Sequence, residues 1–385
     1  MVASITQFPI GRREDGRQQQ GYAGEVVYIY GYDVAYELSR EPITELLGQK
    51  VVPFEFDVTR RNPRHHFFYK PQMVRLPPIQ RAGPHGPVEL ERVVKLLPVG
   101  AISITVRVPF EVATIDQLVA YHDLHLETGS LNSEVRLLAE QVRRELEPFC
   151  ARPVPKLMDE EAYTVFCVEA PLTTHEGHPL AGEAWFKGHR RQVAALLTQE
   201  TDVTLLSNQE ADESTGRYLS YYQNDLVVVD WDAALLIDER GDWDESLYVM
   251  ELANLQLAEL EAYDRMLDDC LERSYRDLGQ RRFRGRLHVL HELREMRIDM
   301  ARFSDELMNI TKFFGDWHLA RLYENIAARF HLVDWHHTID EKLKTLDGLY
   351  EILKHDQNNR WMLGLEVTIV LLFVIDLIIL FLGFK

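Results

Sequence analysis

Residues 361–384 read WMLGLEVTIVLLFVIDLIILFLGF, twenty-four positions with two charged side chains and no proline. A helix of that length spans roughly 36 Å, enough for a hydrocarbon core of about 30 Å with some tilt. The objection is the pair of carboxylates, Glu366 and Asp376. Seventeen Leu, Ile, Val or Phe residues favour insertion by about 0.3 to 0.6 kcal/mol each, whereas a central Asp costs about 2.5 to 3.5 and a Glu near the end less. Insertion wins, and the segment reads as a transmembrane helix. Lys342, Lys344, Lys354 and Arg360 precede it and only Lys385 follows, so the positive-inside tendency puts the preceding residues on the cytoplasmic side. The expectation is a tail-anchored, single-pass protein, with a bacterial-type inner membrane ahead of a mitochondrial inner membrane.

Outward from that span, the helical pattern continues toward the N-terminus. Ile339, Leu343, Leu346, Tyr350 and Leu353 keep a 4-3-4-3 spacing, a coiled-coil seam. Further helices are expected from 245 to about 279 and from 286 to 314, where Leu287, Leu290, Leu293 and Met296 share a stripe. Upstream of 238 the pattern is different. Runs at 25–36, 51–58, 88–97, 101–108, 162–169 and 218–229 are rich in Val, Ile, Tyr and Phe and read as strands, with helices at 111–122, 133–146 and 189–199. A Pro-rich loop is expected between the second and third strand. The predicted fold class is α+β. A mixed α/β domain is followed by long antiparallel helices forming a coiled-coil-like stalk that ends in one transmembrane helix. The expected divisions are a mobile polar tail (1–22), the α+β domain (23–238), the helical stalk (239–360) and the span (361–384).

The formal charge of −19 opposes binding to nucleic acid or lying flat on anionic lipid. Three widely spaced cysteines, Cys150, Cys167 and Cys270, fit a reducing compartment. The sequence has no GxxxxGK[ST], no GxGxxG after a strand and no GxSxG, so no catalytic residues and no cofactor are expected. His288 and His291 in RLHVLHELRE could share a metal at i,i+3, but no third ligand is indicated, and no metal site is predicted. HHFF (65–68) with Arg60, Arg61, Arg64 and Lys70, and the cluster Arg281, Arg282, Arg284 and Arg286, read as solvated basic segments.

Glu366 and Asp376, ten residues apart, point in directions that differ by about 80°. Two readings stay open for Asp376: a ring around an oligomer axis lining an ion path, or a protonated carboxyl hydrogen-bonding across a helix interface. Gly364 and Thr368 form a small-xxx-small pair that permits close helix approach.

Leu365, Glu366 and Asp376 in LEVTIVLLFVID (365–376), ending a helix that begins LDGLYEIL (346–353), resemble the C-terminal signature of the Rmd/Sif family. That family is named for a requirement in meiotic nuclear division and is built on domain of unknown function 155. Its members typically carry a Leu-Glu pair followed ten residues later by a second acidic residue inside a C-terminal span; Asp376 stands where Glu is usual. YVMELANLQLAELEAYDRMLD (248–268) is similar in character. The resemblance covers about 215–385. It implies no catalytic residues, but a membrane-tethered homo-oligomer, with support of organellar translation for the mitochondrial member. The expected function is a non-enzymatic scaffold or tether for an unidentified protein partner. The competing expectation is an oligomeric channel of CorA-like layout with Asp376 near the pore, although the two spans and Gly-Met-Asn signature of those channels are missing.

Overall fold

The computed structural model describes residues 21–39, 43–54, 71–83, 86–126, 129–158, 160–173, 178–279, 298 and 317–383. Nine strands form one sheet: β1 (Tyr22–Asp33), β2 (Val52–Pro53), β3 (Gln72–Gly83), β4 (Gly86–Leu96), β5 (Ala101–Val112), β6 (Glu161–Glu169), β7 (Tyr218–Leu219), β8 (Leu226–Val229) and β9 (Ala233–Asp238). Their spatial order is β7-β8-β9-β6-β1-β5-β4-β3-β2. All neighbours are antiparallel except β6 and β9, which run parallel from Thr164↔Ala233 to Glu169↔Asp238.

The centre of the sheet is β1, whose EVVYIYGY run is buried on both faces. Its register runs from Tyr22↔Val112 to Asp33↔Ala101 on one side and from Gly24↔Val168 to Gly31↔Glu161 on the other. A strand covered on both faces needs apolar side chains at consecutive positions, which explains the unbroken run. Val26, Tyr28 and Tyr30 face one core with α1 (Leu131–Leu146) and α2 (Gly182–Leu197). Val27 and Ile29 face the other, which is closed by α4 (Trp243–Gly279), α5 (Trp317–Arg329) and α6 (Leu332–Leu382). A short α3 (Asn208–Ser214) packs beside α2. The result is a mixed α/β architecture, with helices on both faces of a large N-terminal sheet.

Several expectations change. The Pro-rich stretch is partly strand: β3 includes Pro77 and Pro78, and its register with β4 slips between Leu76 and Ile79. Proline lacks the N–H that a ladder needs, and is tolerated here because, among the described residues, β2 pairs with β3 only at Met73 and Gln72. Of the segment expected to be a helix at 111–122, the first two residues finish β5, and Ile115–Tyr121 form a 3-10 helix. Residues 218–229 split into β7 and β8 because the Asp225 carboxylate accepts hydrogen bonds from the backbone N–H groups of Tyr221 and Tyr222, at 2.8 and 2.9 Å, and fixes a hairpin. The HHFF segment, the arginine cluster at 281–286, the His288 and His291 pair, the 286–314 helix apart from the helical Ile298, and residues 1–20 of the polar tail lie outside the described residues.

The helices after Asp238 are not a rod separate from the sheet. Much of α4 lies across β1 and β6, with Leu247, Met250, Ala253, Leu257 and Leu260 buried against Val27, Ile29 and Val165. The consecutive described helices run in alternating directions. His331 takes a left-handed conformation (φ 51°, ψ 34°) that reverses the chain between α5 and α6. Phe330 sits at Tyr163 on the sheet, while Lys342 reaches Asp264 and Asp268, well past Asn254, where α4 meets Glu161. So α4 and α6 leave the sheet in the same direction, with α5 running back beside them.

Candidate functional site

The feature with most chemical consequence is α6, 51 residues and about 77 Å long, unbroken from the sheet to its apolar end. Its first turns are rooted in the domain. Phe330 stacks edge-to-face on Tyr163 at 5.2 Å, and the Tyr163 hydroxyl donates toward the Asp230 and Ala233 carbonyls at 3.1 Å. Arg329 meets the buried Asp230 carboxylate through Nε at 2.8 Å and Glu213 at 3.2 Å. Tyr323 donates to Gln256 of α4 at 2.5 Å. Ile339 and Leu346 are buried against α4 and Leu343 is half-buried. Each buried side chain of this size contributes about 1.5 to 3 kcal/mol. The side chains of Tyr350 and Leu353 lie outside the described residues.

Beside that root, Lys342 Nζ lies 2.6 Å from both Asp264 and Asp268 of α4. Burial works against its charge, but the hydrogen bonds to the two carboxylates outweigh it and hold the ammonium pKa above its usual value. Closer to the sheet, Glu161 on β6 shares a hydrogen bond with Glu261 on α4; burial, then that bond and the neighbouring charge, push its carboxyl from 4.5 up to about 8. The folded chain thus holds a proton that the unfolded chain releases above about pH 4.5. The stability this pair contributes is complete below that pH and is lost as pH rises through about 8. Glu161→Gln, which keeps a donor toward Glu261, is expected to raise the melting temperature at pH 8 and leave it unchanged at pH 5. Equal melting temperatures of variant and parent at both pH values would remove the shared proton from the account.

Beyond the root, Trp361–Leu382 is the one helix among the described residues long and apolar enough to cross a membrane, with mean hydropathy 2.8 and none of it buried in the protein. Gly364 and Thr368 lie one turn apart, and the Thr368 hydroxyl donates to the Gly364 carbonyl at 2.8 Å, so it carries no unsatisfied donor into an apolar medium. Val367, Val370, Leu371 and Val374 line a shallow groove of about 420 Å³ that begins at Glu366. Asp376 is turned about 80° around the helix from both Glu366 and Thr368. The carboxylates and the small pair therefore do not converge on one site within a single chain.

Sequence reasoning missed the root. Nothing local marks Arg329, Phe330 or Asp230 as joined, because their partners are distant in sequence. Among the described residues no group of three or more His, Cys, Asp or Glu side chains is arranged to hold a metal ion.

Residues 23–243, from the second residue of β1 through the rest of the sheet to the first residue of α4, match the family described as uncharacterized protein MJ0711, N-terminal domain. The chain belongs to that family. The uncharacterized protein MJ0711 of Methanocaldococcus jannaschii is 23% identical over 220 residues, covering 57% of this chain and 65% of the relative. The chain thus spans less than two thirds of that protein's length. No solved structure matches the chain. Membership in the MJ0711 N-terminal-domain family overturns the resemblance to the Rmd/Sif family. That resemblance was drawn over about 215–385 and rested chiefly on the spacing of Leu365, Glu366 and Asp376. The MJ0711 match lies in the sheet, where packing constrains sequence more specifically.

Proposed function

We propose that the protein is a non-enzymatic, membrane-anchored scaffold that holds its α/β domain at the cytoplasmic face of a membrane and self-associates there to present it to a protein partner. The observation that carries the proposal is the continuity of α6. Its N-terminal turns are packed into the domain core, while Trp361–Leu382 is apolar and no described residue buries it. A domain rooted on such a helix cannot reorient freely, so the anchor sets both the position and the tilt of the sheet. The turns between Leu346 and Trp361 form a stalk of about 22 Å. The sequence charge of −19 keeps the domain off anionic lipid and speaks against nucleic acid as the partner.

Self-association is supported by Asp376, which in a hydrocarbon layer needs a partner, and by the Gly364 and Thr368 pair, which allows a neighbouring helix to approach closely. Asp376→Leu is expected to weaken the oligomer about five- to thirtyfold in dissociation constant, given roughly 1 to 2 kcal/mol for an interhelical hydrogen bond in a membrane. Native electrophoresis in mild detergent reads the change. An unaltered oligomer removes Asp376 from the interface, and ion flux through liposomes carrying the parent protein would replace the scaffold with a channel.

A further inference from the structure

The opposite face of the sheet carries a cavity of about 490 Å³ that the anchoring role does not use. It opens at the carboxyl end of β6, beside the first turns of α2. In sheets with parallel neighbours covered by helices, ligands commonly bind outside the carboxyl ends of strands, and 300 to 1,000 Å³ is the usual range for such sites.

Its aromatic wall is built and fixed. Trp185 is 3% exposed and donates Nε1–H to the Tyr22 hydroxyl at 3.0 Å, with the two rings edge-to-face at 6.0 Å. His189 leaves helical geometry inside α2 (φ −119°, ψ 15°), and its imidazole lies flat on the Trp185 indole at 4.6 Å and 12°. His189 Nδ1–H donates to the Trp185 carbonyl at 2.8 Å. That bond fixes the tautomer and leaves Nε2 as a hydrogen-bond acceptor on a residue that lines the cavity. An interruption of helical geometry is often found where a side chain is aimed for function. A second polar group is unspent: the Thr173 Oγ1 lines the cavity, is buried, and has no partner among the described residues. Leaving such a hydroxyl unsatisfied costs about 1 to 3 kcal/mol.

Val168, Ala170, Pro171, Leu172 and Leu180 make the remaining described walls mainly apolar, and no Lys or Arg is among the described residues that line the cavity. Glu169 is among the lining residues, but strand alternation places its carboxylate on the Cys167 face of the sheet, where its charge acts on Arg240. An ion bound here would be desolvated without a counter-charge.

We propose that this cavity binds a neutral, planar heteroaromatic molecule of about nucleobase size, its ring lying against the aromatic wall, with one N–H donated to His189 Nε2 and one acceptor taken by the Thr173 hydroxyl. The scaffold would then present a ligand-binding domain, and the two ideas fail independently, because binding here needs no membrane anchor.

The test is calorimetric titration of the full chain in detergent micelles with adenine as the neutral probe and benzoate as a charged ring of similar size. Adenine is expected to bind at sub-millimolar concentration and benzoate at least about tenfold more weakly. His189→Phe, which keeps the stacked ring but removes Nε2, is expected to weaken adenine about tenfold, and Thr173→Val by a few-fold. Thermal melting of both variants, expected to match the parent, separates lost binding from lost fold. No heat with adenine, equal affinity for benzoate, or adenine binding indifferent to both substitutions in folded protein would each overturn the proposal.

Discussion

Arginine at both Leu371 and Ile375 is expected to release the protein from membranes. The seventeen Leu, Ile, Val and Phe residues of the span supply roughly 5 to 10 kcal/mol toward insertion. Asp376 takes back about 3 kcal/mol and Glu366 less, which leaves a favourable balance. Two arginines near the centre cost about 5 to 7 kcal/mol and also remove two apolar contributions, carrying the balance to zero or beyond. Both positions are exposed in the structure, so the substitutions meet no side chain of the domain. The measurement is the distribution of the variant between membrane pellet and soluble fraction, beside a control with Leu371→Ala and Ile375→Ala. Retention of the arginine variant would mean that something other than this helix holds the protein to the membrane.

The second large effect is expected at Lys95. This side chain lies between β4 and α4, 8% exposed, with its ammonium 4.3 Å from the Phe54 ring and 5.3 Å from the Tyr248 ring, paired with the Glu251 carboxylate. Glu251 is 1% exposed, and its other oxygen, Oε1, has no hydrogen-bond partner among the described residues. Lys95→Met leaves a carboxylate buried without a cation, and breaking a buried pair from one side costs about 3 to 5 kcal/mol. That is a large part of the stability of an ordinary domain. Adding Glu251→Met should restore most of the loss, because two apolar side chains of similar volume replace two desolvated charges. Urea titrations in detergent, followed by near-ultraviolet circular dichroism, give both values. If the single variant loses under 1 kcal/mol, or the double variant is no better than the single, the pair is not the clamp between sheet and helix.

What the sequence disclosed and what it withheld follow from the range of the forces involved. The apolar helix Trp361–Leu382 is legible because its length and composition, read residue by residue, suffice to cross a bilayer, and β1 is legible because burial on both faces demands an unbroken apolar run. The 4-3-4-3 stripe from Ile339 is equally plain, but a stripe does not name its partner. Its lower positions, Ile339, Leu343 and Leu346, close on α4 of the same chain. Pro77 and Pro78 argued for a loop because proline cannot sit in a fully paired strand; that β2 and β3 pair at only two positions among the described residues was not visible locally. Lys95 in VELERVVKLL looks like an ordinary strand charge, since Phe54, Tyr248 and Glu251 come from distant segments. The cavity of Tyr22, Thr173, Trp185 and His189 is withheld for the same reason: its walls come from β1, the turn after β6 and the irregular middle of α2. The last helix also misled. Its paired carboxylates suggested one family, whereas the sheet places the chain in another.

Extraction of membranes at alkaline pH tests the central claim most directly. At about pH 11 peripheral proteins leave the bilayer, while a protein held by a transmembrane helix stays with it. The full chain is expected to remain in the pellet after this wash and to enter solution only with detergent. Recovery in the alkaline supernatant would contradict the account, since a domain rooted on an inserted α6 has no route off the membrane without dissolving it.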